Sequence, residues 1–151
     1  VIRAHVLAMY LPSLAAGFLI DRVGVTRLMI VGAFGLLATS LIGLQGQSLL
    51  HYWWALVLLG VGWNFMYVGG TTLLTYTYSM AERFHAQAVN EFLVFGMSAT
   101  ASLLAGTVMF YFGWSTLMLV PIPILVGITV ALFWVRKDPL LRRRREEQAD
   151  R

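Results

Sequence analysis

The sequence predicts an all-α membrane protein, a polytopic transmembrane helical bundle of about five spans. Charged residues make up 12% of the 151-residue chain and apolar residues 59%, where soluble domains carry about 25% and about 45–50%. Too few charges remain to cover a water-exposed surface, and the mean hydropathy is +0.76. The apolar residues run in long, nearly continuous segments, close to the roughly 20 residues a helix needs to cross hydrocarbon. Barrel strands would instead alternate polar and apolar positions over about ten residues.

The first predicted span covers residues 4–20. Its apolar run is already under way at Val6, no signal-peptide pattern precedes it and the chain opens on Val1. The N-terminus is therefore expected to be a cut edge. Pro12 sits nine residues before Asp21, roughly 13 Å along the helix, and is expected to kink the span near mid-membrane, with Ser13 satisfying a freed carbonyl. A connection over 21–27 leads to the second span, 28–44, where Gly35, Thr39 and Gly43 share one face. The third span runs over 52–76, the fourth over 92–112 and the fifth over 116–135, with Pro121 and Pro123 in the last. Ser13, Gly17 and Asp21, and likewise Ser98, Ser102 and Gly106, form further stripes at the four-residue spacing that lets helices approach closely. The bundle thus occupies 1–135 and a basic tail 136–151.

Orientation follows from the basic residues. The first connection holds Arg22 and Arg27, the third Arg83, and the tail Arg136, Lys137 and Arg142 to Arg145, while the second and fourth connections hold none. Alternation of this kind predicts a cytoplasmic C-terminus; Arg3 alone runs against it. Tyr52, Trp53, Trp54 and Trp114 form an aromatic belt on the outer side, and Tyr76, Tyr78 and Trp134 one on the inner side. The net charge of +4 reflects this topology, so nucleic acid is not an expected partner. The tail can also bind anionic lipid. There are no cysteines, and His5, His51 and His85 have no metal-ligand spacing, so no metal or cofactor is expected. No nucleophile–base arrangement is visible, which speaks against an enzyme.

Between the first two spans, Gly17, Asp21, Arg22, Gly24 and Arg27 stand in the order G-x-x-x-D-R-x-G-x-x-R. This resembles the signature loop of the major facilitator superfamily, which joins the second and third helices of each six-helix half. A second stretch holds Trp63 and Asn64, Gly69 to Thr72, Glu82 and Arg83, and Gln87 through Asn90 and Glu91. It is similar to helices ten and eleven of bacterial transporters of that family. The resemblance implies helices eight to twelve of a C-terminal half in a bacterial inner membrane. It also implies a small-molecule substrate, a missing N-terminal half as partner, and alternating access with the Asp21 motif as a gate; from the residues alone, Asp21 and Arg22 can equally end a helix and anchor the loop.

Candidate residues inside the membrane are neutral. Asn64 lies twelve residues from both Tyr52 and Tyr76, roughly 18 Å from each anchor and so near the midplane. It either contacts substrate or bonds another helix. Trp63 can stack on a substrate or pack; Thr71 and Thr72 line the path or bond their own helix. Glu82, Arg83, Gln87, Asn90 and Glu91 are expected in the third connection and at the start of the fourth span, with Glu91 either a helix-start carboxylate favoured by the dipole or the nearest candidate for a proton-relay group, a group otherwise expected in the missing half. A stand-alone five-span interaction subunit is the competing reading.

Overall fold

A computed structural model describes residues 1–46 and 48–137. Helices α1 (Ile2–Tyr10), α2 (Ser13–Val23), α3 (Val25–Gln45), α4 (Leu49–Thr75), α5 (Arg83–Leu119) and α6 (Pro121–Lys137) follow one another through short joints. The basic run beyond Lys137, expected as a cytoplasmic tail, lies outside the described residues.

The span expected over 4–20 is a broken rod: α1 and α2 meet at 46°. Pro12 has no N–H to donate, so carbonyls in the last turn of α1 lose intrahelical partners. Ser13 Oγ donates to Tyr10 O at 2.5 Å, and Asn64 Nδ2, arriving from α4, donates to Met9 O at 2.6 Å. The break is thereby made tolerable in an apolar medium.

The joint between α2 and α3 is shorter than the sequence suggests. Asp21 and Arg22 belong to the last turn of α2 and Arg27 to the first turn of α3, leaving Gly24 alone as the link. Charges lower hydropathy without ending a helix, which is why a loop was expected there. Gly24 reverses the chain at φ 89°, ψ 146°, a region essentially open to glycine only.

Helices α3 and α4 and the bent pair α1–α2 are each apolar and long enough to cross a membrane. So is the stretch Arg83–Lys137, whose 55 residues would reach about 80 Å if straight. Gly113 breaks it at φ 79°, ψ 178°. Trp114, the next residue, donates from Nε1 to Gly43 O at 2.7 Å, at the far end of α3. Leu132 of α6 packs with Val25, Met29, Ile30 and Ala33 at the near end. The chain after Gly113 therefore runs back along α3, antiparallel to it.

The core lies where α3 meets α4 and α6. Val25 and Ala33 are fully buried, and α4 approaches through glycines. A Cβ on Gly62 would meet Gly32 O at 2.8 Å, and one on Gly32 would meet Gly62 O at 2.9 Å. On another face of α4, a Cβ on Gly60 would meet His5 O at 2.7 Å and Met9 N at 3.0 Å. Backbones this close exclude any side chain at the crossing, as small-residue packing requires. Thr39 closes the α3–α4 seam, its hydroxyl reaching Ala55 O at 3.1 Å.

No residue of helix α5 is buried. Phe92, Leu93, Met97, Leu103 and Phe110 are all exposed, and added Cβ atoms at Gly96 and Gly106 would touch nothing. Among the described residues, added Cβ atoms at Gly106 in the stripe Ser98–Ser102–Gly106, and at Gly17 on α2, would meet nothing within 4 Å.

Candidate functional site

Two places gather polar side chains. The first is the α2–α3 turn. Glycine at position 24 lets two helices meet with one residue between them, so Asp21, Arg22 and Arg27 crowd a single end of the bundle, all exposed. Arg22 lays its guanidinium over the Phe18 ring, 4.4 Å from the centroid. That cation–π contact holds the arginine along its own helix and leaves the Asp21 carboxylate facing outward.

The second place is the face of α4 toward α5. Trp63 and Tyr67 are one turn apart, and their rings lie parallel within 7°, centroids 6.4 Å apart. Phe95 of α5 approaches Tyr67 at 6.1 Å. The Tyr67 hydroxyl faces the Glu91 carboxylate, 2.9 Å from one oxygen and 2.8 Å from the other, and Asn90 Nδ2 adds a longer contact at 3.4 Å. Trp63, Tyr67 and Glu91 are half-buried. Three aromatic rings and one carboxylate thus form a patch with both stacking and hydrogen-bonding capacity.

Glu91 differs from its sequence expectation. Helix α5 begins at Arg83, so Glu91 stands two turns inside it and the N-terminal dipole does not hold it. The low hydropathy of Gln87 to Glu91 hid this part of the helix. Glu82, by contrast, does sit at the boundary. Its carboxylate takes the Ser79 hydroxyl at 2.7 Å and the Ser79 N–H at 3.1 Å, and these bonds hold its pKa below the usual value. Gln87 Nε2 donates to the Tyr78 hydroxyl at 2.8 Å, fastening the incoming turn, and Arg83 lies over the Phe84 ring.

The remaining polar residues predicted on α4 bond to backbone carbonyls, Asn64 to α1 and the threonines to α4 itself. Asn64 is 4% exposed and gives its N–H to Met9 O, while its Oδ1 has no partner among the described residues. Thr71 donates to Tyr67 O and Val68 O, and Thr72 to Val68 O. Of the residues expected along a substrate path, Trp63 alone joins the aromatic patch. Tyr67 and Phe95 were not anticipated; the one available signal was that Tyr67 follows Trp63 by one helical turn.

Comparison with known proteins agrees with this architecture. The family model described as Major Facilitator Superfamily matches residues 3–151. The riboflavin transporter RfnT of Brucella anthropi is 39% identical over 131 residues, covering 87% of this chain and 33% of RfnT. Two uncharacterized transporters of the same type from Bacillus subtilis, YdeG and YddS, are 37% and 38% identical over 110 residues, or 72% of this chain. The chain thus spans about a third of RfnT and about a quarter of the other two. No solved structure matches it significantly. An all-helical bundle with apolar spans, a glycine-pivoted Asp-Arg turn and a family match over nearly its whole length identify this chain as a member of the major facilitator superfamily.

Proposed function

We propose that the chain is part of a secondary transporter that moves a small solute across the bacterial inner membrane by alternating access, with its C-terminus in the cytoplasm. The observation that carries this reading is the similarity to RfnT over 87% of the chain.

In this mechanism two helical bundles rock about a site near the midplane. The patch of Trp63 and Tyr67 borders the solute path and offers flat apolar surface to a ring-bearing solute. Asn64, Thr71 and Thr72 back that surface: their donors are engaged by helix carbonyls, so they keep the wall rigid. Asp21, Arg22 and Arg27 act at the gate. Gly24 brings them to the end of α2, from which Asp21 can meet a helix of the rest of the transporter in one state and release it in the other. Membrane lipid and the N-terminal half are the partners in this scheme.

Riboflavin, the solute named for RfnT, is the first one to test. Membrane vesicles containing the full-length protein should accumulate labelled riboflavin saturably, and Trp63→Ala should reduce that uptake at least tenfold. Uptake no greater than that of vesicles without the protein would refute riboflavin as the solute.

A further inference from the structure

We infer that Asn90 and Glu91 form a recognition edge for a flat heterocycle carrying a ring N–H beside a ring carbonyl, with the rings of Trp63 and Tyr67 as the surface it lies on. This names the chemistry of the solute and rests on the proposed function. Aromatic rings alone do not select among flat solutes, because stacking accepts any π-face. Selection needs hydrogen-bonding groups beside the rings, and the face between α4 and α5 has two of opposite kind.

The first is an acceptor. A carboxylate carries about four acceptor positions on its two oxygens. The Tyr67 hydroxyl, 2.9 and 2.8 Å from the Glu91 oxygens, has one proton to give, and Asn90 Nδ2 approaches one oxygen at 3.4 Å. These contacts leave acceptor capacity on Glu91 unused. The second is a donor. An amide nitrogen carries two protons, and the long contact to Glu91 engages one at most. Both side chains are half-buried, so a solute can reach them. Gly70 follows Trp63 and Tyr67 along the same face of α4 at helical spacing. A Cβ there would meet nothing within 4 Å among the described residues, which leaves room for a ring beside the carboxylate.

Because the Asn90 and Glu91 side chains touch, donor and acceptor stand side by side. A group that satisfies both must offer an acceptor and a donor at the same close spacing. A lactam or imide edge, C=O next to N–H in one ring, does so: its N–H goes to Glu91 and its carbonyl takes the Asn90 proton. The bond to the carboxylate is charge-assisted and the stronger of the two. Tyr67 is a positioning residue. Its hydroxyl stays on the carboxylate and holds Glu91 beside the stacked rings of Trp63 and Tyr67, so edge and surface act on one solute together.

Two probes that differ only at such an edge test this: lumiflavin, a flat tricyclic ring with one imide N–H, and 3-methyllumiflavin, in which a methyl group replaces that hydrogen. Binding of each to the purified full-length protein in detergent is followed by quenching of the probe's fluorescence. Wild type should bind lumiflavin about tenfold or more tightly than the methylated probe. In Glu91→Ala and Asn90→Ala the ratio should fall below about threefold. Tyr67→Phe should lower the ratio while leaving the affinity for 3-methyllumiflavin unchanged, and Trp63→Ala should weaken both probes and keep the ratio of wild type. A ratio of two affinities does not depend on how much of a variant folds, so loss of folded protein does not imitate these results. Wild type that binds neither probe, or both alike, would overturn the inference, as would a wild-type ratio in Glu91→Ala. Selective binding without solute uptake would overturn the transport reading alone, and saturable uptake by a protein that binds both probes alike this inference alone.

Discussion

Replacing Gly60 by alanine tests the packing on which the whole arrangement depends. The new Cβ would lie 2.7 Å from His5 O, 2.9 Å from Ala8 Cβ and 3.0 Å from Met9 N. Two of these are backbone atoms of α1, which cannot swing aside as a side chain can. To reach the 3.4 Å of ordinary contact, α1 and α4 must separate by about 0.7 Å. That shift would stretch the bond from His5 Nδ1 to Leu56 O beyond its present 2.7 Å, and that from Asn64 to Met9 O beyond 2.6 Å. Both would pass the usual limit of about 3.2 Å. Overpacking costs about 1–3 kcal/mol and each interhelical bond about 0.6–1.7 kcal/mol in membrane proteins. Alanine's advantage over glycine in a helix returns about 0.5–1 kcal/mol. The expected net loss is about 3 kcal/mol. Unfolding by SDS in mixed micelles, followed by Trp fluorescence, measures it. Gly106→Ala is the control, since its Cβ would meet nothing within 4 Å. If Gly60→Ala unfolds at the same SDS fraction as wild type and Gly106→Ala, the close α1–α4 approach is refuted.

Further perturbations address other joints. Asn64→Asp exchanges the donor facing Met9 O for a carboxylate near the middle of α4, and should destabilise the fold by about 3 kcal/mol in the same SDS assay. Gly24→Ala forces a side chain into a left-handed, extended backbone and should cost about 1–3 kcal/mol. In the full-length transporter, Asp21→Asn should slow transport several-fold with little change in the solute concentration giving half-maximal rate; normal rates would remove the gating role. For Glu82 the folded pKa lies below its ordinary value of 4.5. Its contribution is therefore present above that value and fades as pH falls through the lowered one. Protection of the Ser79 amide against hydrogen exchange, relative to an unprotected amide at the same pH, should be lost over that acid range in wild type and be absent at every pH in Glu82→Ala.

Much of the architecture was legible because hydropathy is a one-dimensional signal. The apolar segments, the break at Pro12 and the service of Ser13 to a freed carbonyl all follow from local chemistry. The glycine-pivoted Asp-Arg turn was legible as a motif. Its compactness was not, because charge at a helix end imitates a loop. Contacts between distant segments were the illegible part. That Asn64 serves Met9 depends on the chain folding back over a separation of 55 positions, and Tyr67 meets Glu91 over one of 24. Nothing in either neighbourhood names its partner. The helical stretch from Arg83 to Glu91 was missed for a related reason: polar residues continue a helix beyond the apolar window that reveals it.

The antiparallel seating of α6 on α3 bears on how the chain is made. The residues of α3 nearest Leu132, Val25 and Met29 among them, are completed early, and α6 begins some 75 residues after α3 ends. At about 5–20 residues per second, α3 waits roughly 4 to 15 s in the translocon or the lipid before its last neighbour is synthesised. Helix α4 can dock at once through Gly32 and Gly62, so the glycine seam sets first and the Leu132 contact closes the bundle. A nascent chain arrested before Pro121 should therefore hold an α3 whose inner surface is still open to lipid, ready for capture by the membrane's quality-control proteases.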